Sequence, residues 1–210
     1  KVIEENITLC NFRLKNLDWA NSRFHNLNKL NESSNEIILG YSYLLLSAKK
    51  FSKAFELFDA RLKTKNFPNK NYNHLNIIEK LNSQTELKKN SKILIVREQG
   101  VGDEVLFSSM YKDIIDSYKY VSIECDNRLV DIFSRSFQKN IFYPFGYYSS
   151  SKFNIDNFDI VLYAGSLTKH FRKKENNFKI KPYLKILNSI DEKIKNKLST
   201  FKGTKKVGIS

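Results

Sequence analysis

In the second half of the chain, short apolar runs alternate with stretches in which apolar residues recur every three or four positions. Strand-like runs fall at 92–96, 120–124, 141–143, 159–163 and 206–209, each too short for a helix. Helical periodicity lies between several of them, at 103–117, 127–137 and 184–200. Strands that alternate with helices pair in parallel, because a helical crossover returns the chain to the same end of the sheet. The pattern predicts a doubly wound α/β domain from about residue 91.

The first 69 residues repeat themselves instead. Ala20 and Phe24 return 34 positions later as Ala54 and Phe58, and the same offset pairs Leu17 with Phe51, Thr8 with Ser42 and Ile3 with Ile37. This is the period of tetratricopeptide hairpins, in which small residues let two helices approach closely. Two repeats, about 2–35 and 36–69, are expected, in a degenerate form that lacks most of the consensus aromatic, Gly and Tyr positions. An accidental pair of helical hairpins is the alternative. Phe67-Pro68 then opens a polar connector, 70–90, with one amphipathic piece around Leu75 to Leu81.

Composition narrows the partners. The chain has 210 residues, 41% of them hydrophobic, enough for a real core. Its formal charge is +14, but 29 of the 36 basic residues are lysines and only 7 are arginines. Readers of phosphate and base edges favour arginine, so the charge reads as dispersed and solvating, and a nucleic-acid partner is not expected. Twenty-three asparagines beside abundant Lys, Ile and Phe suit a coding bias toward A and T. Cys10 and Cys125 form neither a metal spacing nor a disulfide framework, which points to a reducing, cytoplasmic setting. No apolar run approaches the roughly eighteen residues of a transmembrane segment. The chain begins at Lys1 and stops inside an apolar run, and is expected to be an excerpt of a longer protein.

Candidate chemistry concentrates at Glu98-Gln99-Gly100-Val101-Gly102-Asp103, between the strand at 92–96 and the helix that follows. In a parallel sheet the ligand crevice lies beyond the C-terminal ends of the strands, which puts these six residues at its mouth. Gly100 and Gly102 permit a tight turn and close approach of a ligand. Asp103 sits at the positive end of the helix dipole, where a carboxylate is placed to accept a proton from a hydroxyl. Its other reading is a helix cap. A dinucleotide site, with Glu124 as the ribose-binding acid, is disfavoured: Val105 takes the third glycine position, and Asp103 would face the pyrophosphate.

Glu98 to Phe107, Ile123-Glu-Cys-Asp-Asn-Arg-Leu-Val-Asp-Ile-Phe133, Gly165-Ser166-Leu167 and Val207-Gly-Ile-Ser210 together resemble the bacterial tetratricopeptide-repeat glycosyltransferases. The catalytic part of those proteins is similar to the heptosyltransferases of glycosyltransferase family nine, with a GT-B fold of two Rossmann domains. Ala54 to Arg61 resembles their last repeat. The likeness covers about 36–210 and is loose between 138 and 158. It implies an α + α/β chain: tetratricopeptide-like hairpins over 1–69, then the N-terminal Rossmann-like domain of a GT-B enzyme over 91–204 and the start of the second Rossmann domain at 205–210.

The resemblance further implies that Asp103 is the general base, activating an acceptor hydroxyl against the anomeric carbon of a nucleotide sugar. Glu98, Gln99, Gly100, Val101, Gly102, Gly165, Ser166 and His170 would contact substrate. Neither a metal nor a cofactor is implied beyond the nucleotide-sugar donor, and the repeats would present a protein or glycan acceptor. Ending near 210 would leave the chain with the acceptor side and the base but without most of the donor pocket. Two other readings stay open: a repeat scaffold with an inactive Rossmann-like domain, and an NAD-dependent oxidoreductase.

Weaker candidates have plainer explanations. His170 follows the Gly165-Ser166 turn and would meet an anionic substrate, unless Thr168 to Lys174 is a solvated basic loop. Ile141 to Tyr148 offers either a sugar-stacking platform or strand-and-turn packing. Trp19, His25 and His74 fall in helical or connector context, where packing or exposure is the default.

Overall fold

Residues 93–96 are apolar without alternation because the strand they belong to, β1 (Lys92–Val96), is covered on both faces. The computed structural model describes residues 10–11, 14, 17–29, 34–64, 67, 90–98, 100–137, 141–146, 157–178 and 181–201. The expected connector at 70–89, the strand at 206–209 and most of residues 1–16 lie outside these.

β1 pairs in parallel with β2 (Tyr120–Cys125) on one side and with β4 (Ile160–Tyr163) on the other. β3 (Phe142–Pro144) completes a four-stranded sheet of order β3-β2-β1-β4. Pro144, which cannot donate to a ladder, is accommodated because β3 is an edge strand. The chain moves outward from β1 through β2 to β3 and then returns to the opposite side of β1, so the strand order reverses at β1.

Helices fill the crossovers. α4 (Val101–Ser108) and α5 (Tyr111–Ser117) link β1 to β2, and α6 (Val130–Phe137) links β2 to β3. The single helix expected over 103–117 is thus two, and it begins two residues earlier. Two side-chain bonds account for the break. Ser108 turns its hydroxyl back onto the Val105 carbonyl at 2.7 Å, and Arg172 draws the Ser109 carbonyl outward with a 2.8 Å bond. Beyond β4 come a tight helical turn (Ala164–Leu167), α7 (Thr168–Phe171) and, after an extended stretch, α8 (Asn188–Ser199).

Before the sheet, α1 (Leu17–Lys29) is followed by the hairpin of α2 (Asn35–Ser47) and α3 (Phe51–Phe58). Ser34 caps α2 by accepting from the Ile37 N–H, and Lys49, at φ 57°, makes the left-handed turn that ends it. The residues picked out by the 34-residue offset sit where helices touch. Ala20 and Ala54 are fully buried in one cluster with Phe24, Tyr41 and Leu44. The Ser42 hydroxyl donates to the Ala54 carbonyl at 2.8 Å across the hairpin, an approach that only small side chains permit.

α3 belongs to two cores at once. Ala54 faces the helices, whereas Phe55 and Phe58 pack with Ile93, Ile95, Phe107 and Leu167 on one face of the sheet. Leu62 and Phe67, just downstream, pack with Leu94, Val96, Val161 and Tyr163 on the other face. The segment leaving the hairpin therefore passes over the C-terminal edge of the sheet. Among the described residues no helix is long and apolar enough to cross a membrane.

Ala54→Leu should drive a branched side chain into the α2–α3 contact. A loss of about 1–3 kcal/mol is expected in urea unfolding. The equally buried Ser42→Ala should cost less, on the order of 1 kcal/mol, for one hydroxyl bond.

Candidate functional site

Parallel pairing sends β1, β2 and β4 out of the sheet at the same edge, so the residues that follow them meet there. Arg97 and Glu98 leave β1 consecutively and point apart, Arg97 toward the β2 side and Glu98 toward the β4 side. Each is anchored by an opposite charge.

On the β4 side, Glu98 is buried and receives a two-pronged bond from Arg61: Nε to Oε2 at 2.8 Å and Nη2 to Oε1 at 2.7 Å. The Gly165 N–H also donates to Oε1, at 2.5 Å. Arg61 comes from the tight turn Asp59–Lys63 that ends the helical hairpin. Its Nη1 reaches Asp59 at 2.8 Å, and its Nη2 reaches the Ser166 hydroxyl at 3.2 Å. Ser166 in turn donates to Asp59 at 2.6 Å, and Lys169 pairs with Asp59 at 2.7 Å. Burial pushes the Asp59 pKa up, but Arg61, Lys169 and Ser166 outweigh it and leave it below the ordinary value. A Cβ on Gly165 would stand 2.7 Å from both Arg61 Nη2 and Glu98 Oε1, so glycine is required by the closeness of the pair.

On the β2 side, Arg97 pairs with the fully buried Glu104 of α4 at 2.6 Å and lies 3.7 Å from Asp126. Glu104 also accepts from the Asp126 N–H at 2.7 Å. Desolvation raises the Glu104 pKa, and these two partners oppose the rise. Glu124, buried at the end of β2, accepts from the Gly146 N–H at 3.3 Å and from the backbone of Arg97; burial pushes its pKa up to about 7.

Between the two anchors lies the loop that carries Asp103. Gly100 is the N-cap of α4, and its N–H donates to Asp103 Oδ2 at a long 3.3 Å. Asp103 therefore takes part in the cap, and among the described residues it makes no other hydrogen bond. Neither loop glycine is needed by the fold itself. Positive φ among glycines is confined, in the described residues, to Gly146; a Cβ would meet nothing within 4 Å at Gly102 and only Asp103 Oδ2, at 3.9 Å, at Gly100.

The sequence-selected residues thus separate into two groups. Gly100, Val101, Gly102 and Asp103 form the partly exposed head of α4. Glu98, Gly165 and Ser166 are buried in the Arg61 network, where they hold elements together instead of facing solvent. His170 is exposed at the start of the basic segment. Partial desolvation and the Lys169 ammonium lower its pKa, and its exposure to water limits the effect. Gln99 lies outside the described residues.

Sequence reasoning missed Arg61, Arg97, Glu104 and Tyr43. Tyr43, on α2, is half exposed, and burial raises its pKa while Arg61 opposes the rise and Asp103 and Glu98 add to it. Its phenol is therefore within electrostatic reach of the Asp103 loop. Among the described residues no group of three or more His, Cys, Asp or Glu is placed to hold a metal ion.

Removing one partner of the buried pair leaves the other charge uncompensated. Arg61→Met or Glu98→Leu alone should cost about 3–5 kcal/mol in denaturant unfolding, while the double variant should recover much of that loss. A pH titration of stability tests Glu124. Its folded pKa is about 7 against an ordinary 4.5, so between these values the unfolded chain has released a proton that the folded one retains. Stability should fall as pH rises across that window, by roughly 1–3 kcal/mol, and Glu124→Gln should flatten the profile. Asp59, shifted downward, acts only at lower pH, where its contribution is lost as the pH falls through its folded pKa.

No protein-family model matches this chain, and no curated protein and no solved structure matches it either.

Proposed function

We propose that the chain is the acceptor-side, Rossmann-like part of a GT-B glycosyltransferase that transfers a sugar from a nucleotide-sugar donor without a metal ion, in the cytoplasm. One observation carries the reading. A carboxylate stands in the first turn of the helix after β1, where the strand order reverses, beside two glycines that neither backbone conformation nor packing calls for. A ligand approaching the loop backbone supplies the missing reason for those glycines.

In this mechanism Asp103 accepts the proton of an acceptor hydroxyl as its oxygen bonds to the anomeric carbon. The bond from that carbon to the leaving nucleotide breaks, and its electron pair goes to the phosphate oxygen that had carried the sugar. The two ion-paired anchors, Arg61–Glu98 and Arg97–Glu104, fix the strand end and the helix on which Asp103 rides. The helical hairpin, read as degenerate tetratricopeptide repeats, presents a protein or glycan acceptor.

Asp103→Asn and Gly102→Ala, measured side by side in the full-length protein, test this. Asparagine caps a helix about as well as aspartate, so Asp103→Asn should change stability by well under roughly 1 kcal/mol. It should nevertheless slow sugar transfer from UDP-, GDP- or CMP-sugars by about a hundredfold to ten-thousandfold. Gly102→Ala should leave stability equal or raise it by up to about 1 kcal/mol, because alanine favours a helix, yet impair transfer by crowding the ligand. Near-normal transfer by Asp103→Asn would remove Asp103 as the base, whereas no transfer by the unaltered protein would leave a repeat scaffold whose sheet domain only binds partners.

A further inference from the structure

α8 (Asn188–Ser199) has no buried residue, although it is strongly two-faced. Leu187, Ile190, Ile194, Leu198 and Phe201 recur at three- and four-residue steps and so share one face; each is more than two-fifths exposed. Helical periodicity puts Lys193 and Lys197 along one border of that face and Lys195 along the other, with Glu192 and Asn196 opposite. Asp191 pairs with Lys195 at 2.6 Å, which neutralises the acid nearest the stripe. Between residues 181 and 206 the sequence has eight lysines against two acids.

We propose that α8 docks flat on an anionic lipid bilayer, with its apolar face among the acyl chains and its bordering lysines reaching the headgroups. The charge decides the occupant. A second copy of this chain would bring two bodies of formal charge +14 together, whereas an anionic surface complements that charge. Area points the same way: five apolar side chains, each only about half exposed, present far less surface than the ~800 Å² per partner of a stable protein interface. Lysines flanking an apolar stripe are suited to the water–lipid boundary, since their stems lie on apolar surface while their ammonium groups stay in water. This inference stands apart from the sugar-transfer reading.

Vesicle sedimentation of the full-length protein tests it. The protein should pellet with phosphatidylcholine vesicles that contain roughly one-third phosphatidylglycerol, and far less with phosphatidylcholine alone. Ile190→Asp with Ile194→Asp should reduce partitioning by about tenfold or more with unchanged melting, because neither side chain is part of a core. Lys193→Glu with Lys197→Glu keeps the apolar face and should also lose anionic binding, which guards against an Asp pair that simply melts the helix. Undiminished binding by the Asp pair would reduce the effect to diffuse charge and overturn the proposal. Failure of the unaltered protein to bind, or a concentration-dependent dimer in sedimentation velocity that the Asp pair abolishes, would overturn it too.

Discussion

The arrangement around the sheet edge depends on one buried ion pair, Arg61 with Glu98. The two charges belong to segments that pack on different things, the end of a helical hairpin and the end of a central strand. Desolvating them is costly, and the cost is met only because the guanidinium and the carboxylate find nearly all their hydrogen-bond partners inside the protein. Asp59, Ser166 and the Gly165 N–H supply the remaining bonds. The result is directional in a way that apolar packing is not. Phe55 and Phe58 tolerate some sliding against the sheet, whereas a forked donor on a forked acceptor fixes one register.

A second pair works at right angles to the first in its consequences. Arg97 draws Glu104, and with it α4, toward the end of β2, so the helix that carries Asp103 is tied to the sheet from within its own first turn. Two successive residues of one strand end therefore restrain two different neighbours. Gly100 and Gly102 stay open to solvent beside these restraints.

The strands were legible in the sequence because a strand covered on both faces is apolar along its buried length; 93–96 and 160–163 have that property, and the observed bounds differ from the expected 92–96 and 159–163 by no more than a residue. The 34-residue offset was legible because close helix packing tolerates only small residues at Ser42 and Ala54. The break between α4 and α5 was not, since it depends on Arg172 reaching a carbonyl 63 residues away. At the site, a strand followed by Gly100, Gly102 and Asp103 is a local signal, and these residues do lie at the head of the helix after β1. Glu98 belongs to the same string of letters, but its partner lies 37 residues upstream in a different kind of element, and no period or spacing connects them. Arg61 looked like the last charged residue of an amphipathic helix, which is how an exposed arginine looks too.

The sharing of α3 between two cores bears on how such a chain can be assembled from parts. If helical repeats are exchanged between proteins during evolution, the joint cannot lie at the polar connector after residue 69, where composition changes most visibly. A new array ending there would arrive without Phe55, Phe58 and Arg61, and the sheet would be left with an uncovered face and a lone buried carboxylate. The last hairpin shares its core with the sheet and folds as part of the same module.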